Sequence, residues 1–291
     1  MPAYARCVAV SVLAAAAWSL APSGAAAQGQ GSSVVIGAFD VEAGGSDPET
    51  VAQRLASQPG VDVWGLTRVA DAAMAELYAG AAGLAAAPAK YKVALGTSGN
   101  LKHAVLFNDQ RLALGRRFEL LSLLPKACPA HPAPAPLVVE LRPRAEGGNA
   151  DGGRGDGAAF WLIVNRLGDG TAAARACRIK ALTDWLRQNT RQAVLVGAFG
   201  AEWQIAPDSA AQDPAIDLLL ADGMTSWVQP ETLVPTHCAR PTVADLILTA
   251  GRARQWRARS WIAFADEDDY CLRAPERESE HRAVIAQFAM Q

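Results

Sequence analysis

Three features of this 291-residue chain predict an α/β fold in a single domain: short runs of Val, Ile and Leu alternate with amphipathic segments, strands outnumber helices, and no boundary linker interrupts the alternation. The pattern is clearest in the middle of the chain. Residues 160–164 and 193–196 are apolar runs of strand length, and between them residues 173–188 place Ile179, Leu182, Trp185 and Leu186 on one helical face, with Arg175, Arg178 and Arg187 elsewhere. Hydrophobic residues make up 51% of the chain, enough for a large core.

Residues 1–27 read as a secretory signal peptide, with Arg6, an apolar run from Cys7 to Leu20, and Ala25-Ala26-Ala27 ahead of Gln28. The remainder, 28–291, has no run approaching the ~18 to 20 apolar residues of a spanning helix, so an exported protein, periplasmic or secreted and without a membrane span, is expected. Residues 34–39 form the first strand. Asp47 and Pro48 supply the cap and first position of a helix, and 61–66 the next strand. Residues 70–78 are helical and 80–89 an Ala/Gly loop or frayed helix end. Strands follow at 91–95 and 104–107, the latter closed by the turn Asn108-Asp109, then an apolar stretch of either type at 118–124. After the Pro/Ala connector 129–136, strand 137–141 pairs with 160–164 across a Gly-rich hairpin loop, 143–157. A short helix at 214–220 and strands at 243–249, 260–264 and 282–288 complete the domain.

Cys7 leaves with the leader. Cys128, Cys177, Cys238 and Cys271 suit disulfides in an exported chain, with three pairings open. The nearness of Cys238 and Cys271 favours that pair, leaving Cys128 for Cys177; no spacing of Cys and His supports a zinc site. A net charge of −2 gives no footprint for nucleic acid. Arg252, Arg254, Arg257 and Arg259 around Trp256 read as a solvated turn, Arg154-Gly155-Asp156 as a chance tripeptide, and Trp161 and Trp185 as packing residues.

Six segments carry a resemblance: Phe39-Asp40-Val41-Glu42, Val61 through Val69, Val164-Asn165-Arg166-Leu167, Val196-Gly197-Ala198-Phe199-Gly200, Ala244-Asp245-Leu246-Ile247-Leu248 and Ser279-Glu280-His281-Arg282. In order and spacing they are similar to the motifs of the endonuclease/exonuclease/phosphatase superfamily, which includes pancreatic-type deoxyribonuclease. The resemblance implies a four-layered α/β sandwich, two mixed sheets packed face to face with helices outside, and magnesium-dependent hydrolysis of phosphate esters. It also marks departures. Asp40 falls where the family has Asn, Arg68 where it has the metal-binding Glu, and Arg166 where it has His. Ala198 and Gly200 replace the water-orienting Asp and phosphate-holding Asn, and Glu280 replaces Asp; Asp245 and His281 match.

Magnesium needs carboxylate oxygens, and a guanidinium ~5 Å away would repel it by about 7 kcal/mol at an effective dielectric of ~20. The resemblance therefore implies no metal site, an Asp245–His281 pair left as a catalytic remnant, and Arg68, Arg166, Asp40, Glu42 and Glu280 as ligand-binding candidates. Arg68 is expected to pair with Asp40 or Glu42 in the cation's place. The expected function is that of an impaired or inactive homologue of metal-dependent phosphodiesterases, binding a phosphorylated or anionic ligand; nucleic acid is not the expected partner. Two alternatives stand beside it: an active magnesium-dependent nuclease or phosphohydrolase with rearranged residues, and an interaction module for another exported protein.

Overall fold

A computed structural model of the chain describes residues 33–121, 128, 134–144, 159–167, 171–189, 192–205, 213–272 and 278–290. The expected leader, most of the 143–157 loop and its Arg-Gly-Asp tripeptide lie outside these residues.

The first sheet contains β1 (Ser33–Asp40), β2 (Val63–Val69), β3 (Tyr91–Leu95), β4 (Lys102–Asn108), β11 (Arg257–Ile262) and β12 (Val284–Ala289), in the order β11-β12-β1-β2-β4-β3. The second contains β5 (Leu112–Glu119), β6 (Leu137–Pro143), β7 (Phe160–Arg166), β8 (Gln192–Gln204), β9 (Thr225–Trp227) and β10 (Thr242–Gly251), in the order β5-β6-β7-β8-β10-β9. Both sheets are mixed. The parallel pairs β1/β2 and β7/β8 need crossovers, which α1 (Pro48–Ala56) and α3 (Ala172–Asn189) provide. Two further α-helices among the described residues are α2 (Ala72–Ala85) and α4 (Pro214–Leu220).

Strand alternation sorts the core into layers. Val34, Ile36, Ala38 and Val63 face the second sheet and pack with Val164, Val194 and Val196, whereas Phe39, Trp64 and Leu66 face outward and pack beneath α1 and α2. Ile179, Leu182 and Leu186 of α3 and Ile216 and Leu219 of α4 cover the second sheet. The result is the helix, sheet, sheet, helix arrangement expected. Helix starts are built from side-chain oxygens: Asp47 accepts from Thr50 N at 3.0 Å, Asp71 from Met74 N at 2.9 Å, Thr171 from Ala174 N at 3.2 Å and Asp213 from Ala215 N at 2.9 Å.

Several boundaries differ from expectation for identifiable reasons. Helix α2 runs through the start of the Ala/Gly stretch, because Ala favours helix and Ala79, Ala81 and Ala82 are buried there. Edge strand β5 is mostly exposed and lacks alternation, and β9 has only three residues, so neither carries a sequence signal. Arg178 is buried, not on the solvent face; its guanidinium donates to the carbonyl of Leu167. Both disulfides, Cys128–Cys177 and Cys238–Cys271, are formed. No helix among the described residues is long and apolar enough to cross a membrane.

The sheets meet at Gly65, where an added Cβ would lie 2.3 Å from Val196 Cγ2 and 3.0 Å from Val164 Cγ2. Overpacking of this kind costs about 1 to 3 kcal/mol. Urea unfolding of Gly65→Ala is expected to show that loss, and Gly65→Ala with Val196→Ala to lose less than the two single changes added together. Strict additivity would mean that the two residues do not set the sheet separation.

Candidate functional site

The site lies at one end of the facing sheets and is centred on Asp40, the last residue of β1 and 1% exposed. Arg68 Nε donates to its Oδ1 at 2.6 Å, Arg166 Nε to its Oδ2 at 3.2 Å, and His281 Nε2 lies 3.9 Å from Oδ2. Arg68 also reaches Glu42, with Nη1 3.2 Å from Oε1, so the pairing expected of Arg68 is present with both acids. Glu42 Oε2 in turn accepts from the backbone N–H of Glu280 at 2.8 Å. Asp245, on β10, holds His281 through Oδ2 and Nδ1 at 2.7 Å. Asp40, Arg68, Arg166, His281 and Asp245 thus form one network spanning both sheets, with Glu42 at its edge. The Glu280 side chain is the half-exposed exception, 3.9 Å from His237 Nε2.

Local backbone geometry sets these positions. Glu42 and Arg68 have φ of 52° and 58°, left-handed values uncommon for non-glycine residues. Arg68 sits where the pairing of β2 with β4 breaks between Leu66 and Val69, and the break turns its side chain toward Asp40. On the second sheet, Asp245 pairs with Ala198 and Val243 with Trp203, so residues 199–202 of β8 bulge opposite Ala244 alone. Gly197, at φ 123°, precedes this bulge, and a Cβ there would lie 2.1 Å from the carbonyl oxygen of Asn165.

Burial pushes the Asp40 carboxyl up, but the charges of His281, Arg68 and Arg166 outweigh it and hold its pKa at about 2. Burial pushes the His281 imidazole down, yet Asp245 and then Asp40 raise it above its ordinary value, favouring imidazolium. Its neighbour His237, with ring centroids 4.7 Å apart, is shifted down by burial and by the charge of His281. The Nδ1 of His237 accepts from Ala239 N at 3.1 Å, leaving Nε2 as the protonated nitrogen of the neutral ring.

Beside His281 opens a cleft of about 230 Å³. Its small residues are Ala198, Gly200 and Ala244, and its charged ones Arg166, Arg175, Glu202, Asp213 and Arg240. Magnesium does not fit the residues present. Both Asp40 oxygens already accept from guanidinium groups; of the buried atoms in the network without a hydrogen-bond partner, Arg68 Nη2 is a donor, the wrong polarity for a cation, and Asp245 Oδ1 is a lone oxygen on the carboxylate that holds His281. Among the described residues no group of three or more His, Cys, Asp or Glu side chains could hold a metal ion.

This fold is similar to that of solved endonuclease/exonuclease/phosphatase family proteins. Similar solved structures include D. rerio TDP2 complexed with single-strand DNA product, at 10% identity and TM-score 0.61, covering 88% of this chain and 99% of that one. The human Nocturnin catalytic domain with bound sulfate anion is similar at 14% identity and TM-score 0.59, covering 89% and 95%. An endonuclease/exonuclease/phosphatase family protein from Bacteroides thetaiotaomicron matches at 11% identity and TM-score 0.58, covering 90% and 99%. No protein-family model and no curated protein sequence matches the chain.

Sequence reasoning missed His237, Arg175, Arg240, Glu202 and Asp213, which arrive from separate elements and share no local spacing. It also missed the clamp on the His281 backbone. Tyr270 OH donates to the His281 carbonyl at 2.5 Å, and Cys238 N to that of Glu280 at 2.8 Å, so the Cys238–Cys271 bond ties the two sides of the clamp together.

The pKa shifts predict a two-sided stability profile. Asp40 is depressed from 3.8 to about 2, so its contribution is complete above 3.8 and is lost as pH falls through 2. It amounts to about 2 kcal/mol. His281 is raised from 6.5, so its contribution is complete below 6.5 and is lost as pH rises through the folded value. Urea unfolding from pH 2 to 9 should show both limbs. Asp40→Asn should flatten the acid limb and cost about 3 to 5 kcal/mol near neutrality by stranding buried cations; an unchanged acid limb would remove Asp40 as its source.

Proposed function

We propose that this protein is an exported, catalytically impaired or inactive relative of the metal-dependent phosphodiesterases, retained to bind a small phosphorylated or anionic ligand in the cleft beside His281. The observation that carries the reading is the double engagement of Asp40 by Arg68 and Arg166, which puts fixed positive charge where the resemblance calls for a cation. Ala198 and Gly200, at the positions of the water-orienting and phosphate-holding residues, supply space in place of those groups. Arginine forks bind oxyanions without needing a metal, which supports the ligand class. The leader-like residues 1–27 and two disulfides support export.

A second reading, a working hydrolase that uses His281 without the family's metal ligands, is favoured by the 2.7 Å Asp245–His281 hydrogen bond alone. Against it, Ala198 stands where the resemblance places the group that orients water.

Purified protein should give no turnover of plasmid DNA, single-stranded DNA or bis-p-nitrophenyl phosphate with magnesium, calcium or manganese. Turnover abolished by EDTA and by His281→Ala would overturn the impaired reading. Calorimetry should detect magnesium binding only when Arg68→Glu is included among Asp40→Asn, Arg166→His, Ala198→Asp, Gly200→Asn and Glu280→Asp. N-terminal sequencing of the exported chain should begin at Gln28.

A further inference from the structure

The two disulfides differ in what can reach them and in what they hold. Cys271 is exposed and Cys238 half-buried, whereas Cys128 is buried and Cys177 half-buried. Thiol–disulfide exchange needs access of the attacking thiolate to a sulfur, so a dithiol arriving from solution meets Cys238–Cys271 first.

The exposed cross-link also sits on the segment that carries His281. Residues 237 and 281 form an isolated antiparallel bridge, flanked by hydrogen bonds from Cys238 N to the Glu280 carbonyl and from Arg282 N to the Thr236 carbonyl, both at 2.8 Å. Successive carbonyls of an extended segment point to opposite edges, so the His281 carbonyl faces away from this bridge and accepts from Tyr270 OH at 2.5 Å. The cysteines are the chain neighbours of His237 and Tyr270. Their bond therefore joins both edges of the His281 segment within one residue of each contact.

The two edges depend on that bond unequally. Tyr270 is 2% exposed, stacks on Phe264 with centroids 5.7 Å apart and has the Arg282 guanidinium 4.7 Å from its ring, so it keeps its place without the cross-link. The 237–240 turn has less to hold it. Ala239 and Arg240 are exposed, and besides the Cys238 contact the turn bonds to itself, from Arg240 N to the His237 carbonyl and from Ala239 N to His237 Nδ1. Yet this turn bears on the cleft: His237 packs its ring against that of His281, with centroids 4.7 Å apart, and Arg240 lines the cleft and meets Glu202.

We infer that Cys238–Cys271 is a redox modification site: a dithiol reduces it and thereby releases the 237–240 turn as a movable wall of the cleft beside His281. The reductant's thiolate attacks one cysteine sulfur and expels the other as a thiolate, and its second thiol then displaces the first from the mixed disulfide. Two electrons and two protons pass to the cysteines, and the dithiol leaves oxidised to a disulfide. Asp245 still holds the His281 ring, so the change is in the wall and not in the pair. The inference holds whatever ligand class the cleft takes.

The test titrates the intact mature chain with dithiothreitol in native buffer, traps thiols by alkylation and locates them by peptide mapping. Cys238 and Cys271 should be labelled at reductant concentrations about tenfold or more below those that label Cys128 and Cys177. Hydrogen exchange of the selectively reduced chain should then be about tenfold or more faster over residues 236–240 and unchanged over β1 and β7. Cys238→Ser with Cys271→Ser should reproduce that loosening with no reductant; if this variant fails to fold, the reduced native chain carries the comparison. Labelling of all four cysteines together would overturn the proposal. So would selective reduction with unchanged exchange at 236–240, since the bond would then have no leverage on the cleft wall. Faster exchange across β1 and β7 would overturn it as well, since the bond would then hold the whole domain.

Discussion

A buried carboxylate is the constraint on which this end of the molecule depends. Asp40 is 1% exposed, and a charge so placed is tolerated only when opposite charge and donors surround it. Arg68 comes from the first sheet, Arg166 from the second, and His281 from the segment ahead of β12, itself held by Asp245 of the second sheet. One ionised group therefore ties the two sheets together at this end. Its demands extend to the backbone, because Arg68 reaches Asp40 from a left-handed conformation at a break in strand pairing.

Charge satisfied inward is charge withheld from chemistry. A divalent ion exposes coordination positions to a ligand while its protein partners hold it, whereas the donors of a guanidinium are few and directional. Arg68 spends Nε and Nη1 on Asp40 and Glu42, and its Nη2 is buried. Such a group can replace the structural role of a cation between two acids without replacing its action on a phosphate. The cleft accordingly opens to one side, along the bulge of β8, where Ala198 and Gly200 leave volume.

Much of the fold was legible because buried strands leave dense apolar runs. β1, β7 and the first half of β8 are almost continuously buried, and a capped helix announces itself through Asp47-Pro48. Exposed edge strand β5 and three-residue β9 have no such imprint. The central pair of Arg68 with Asp40 was legible only through the resemblance, which sets both residues where the ligands of a cation would converge and where opposite charges attract. The rim was not. Arg175, Asp213, Arg240 and Glu202 meet only after α3, α4, the segment before β10 and the β8 bulge are assembled, and each alone resembles an ordinary surface charge.

The same assembly explains why His281 and His237 behave differently although their rings touch. His281 lies between two carboxylates, so it gains more from charge than burial takes away. His237 is dominated by burial and the charge of His281, which outweigh Glu280, Asp245 and Glu42, while its Nδ1 is already committed to a backbone donor that disfavours protonation there. Two adjacent imidazoles can scarcely both carry charge in so dry a place, and the carboxylates decide which one does. The imidazolium is consequently favoured at His281, which lines the cleft, while the carboxylates of Asp40 and Asp245 balance its charge.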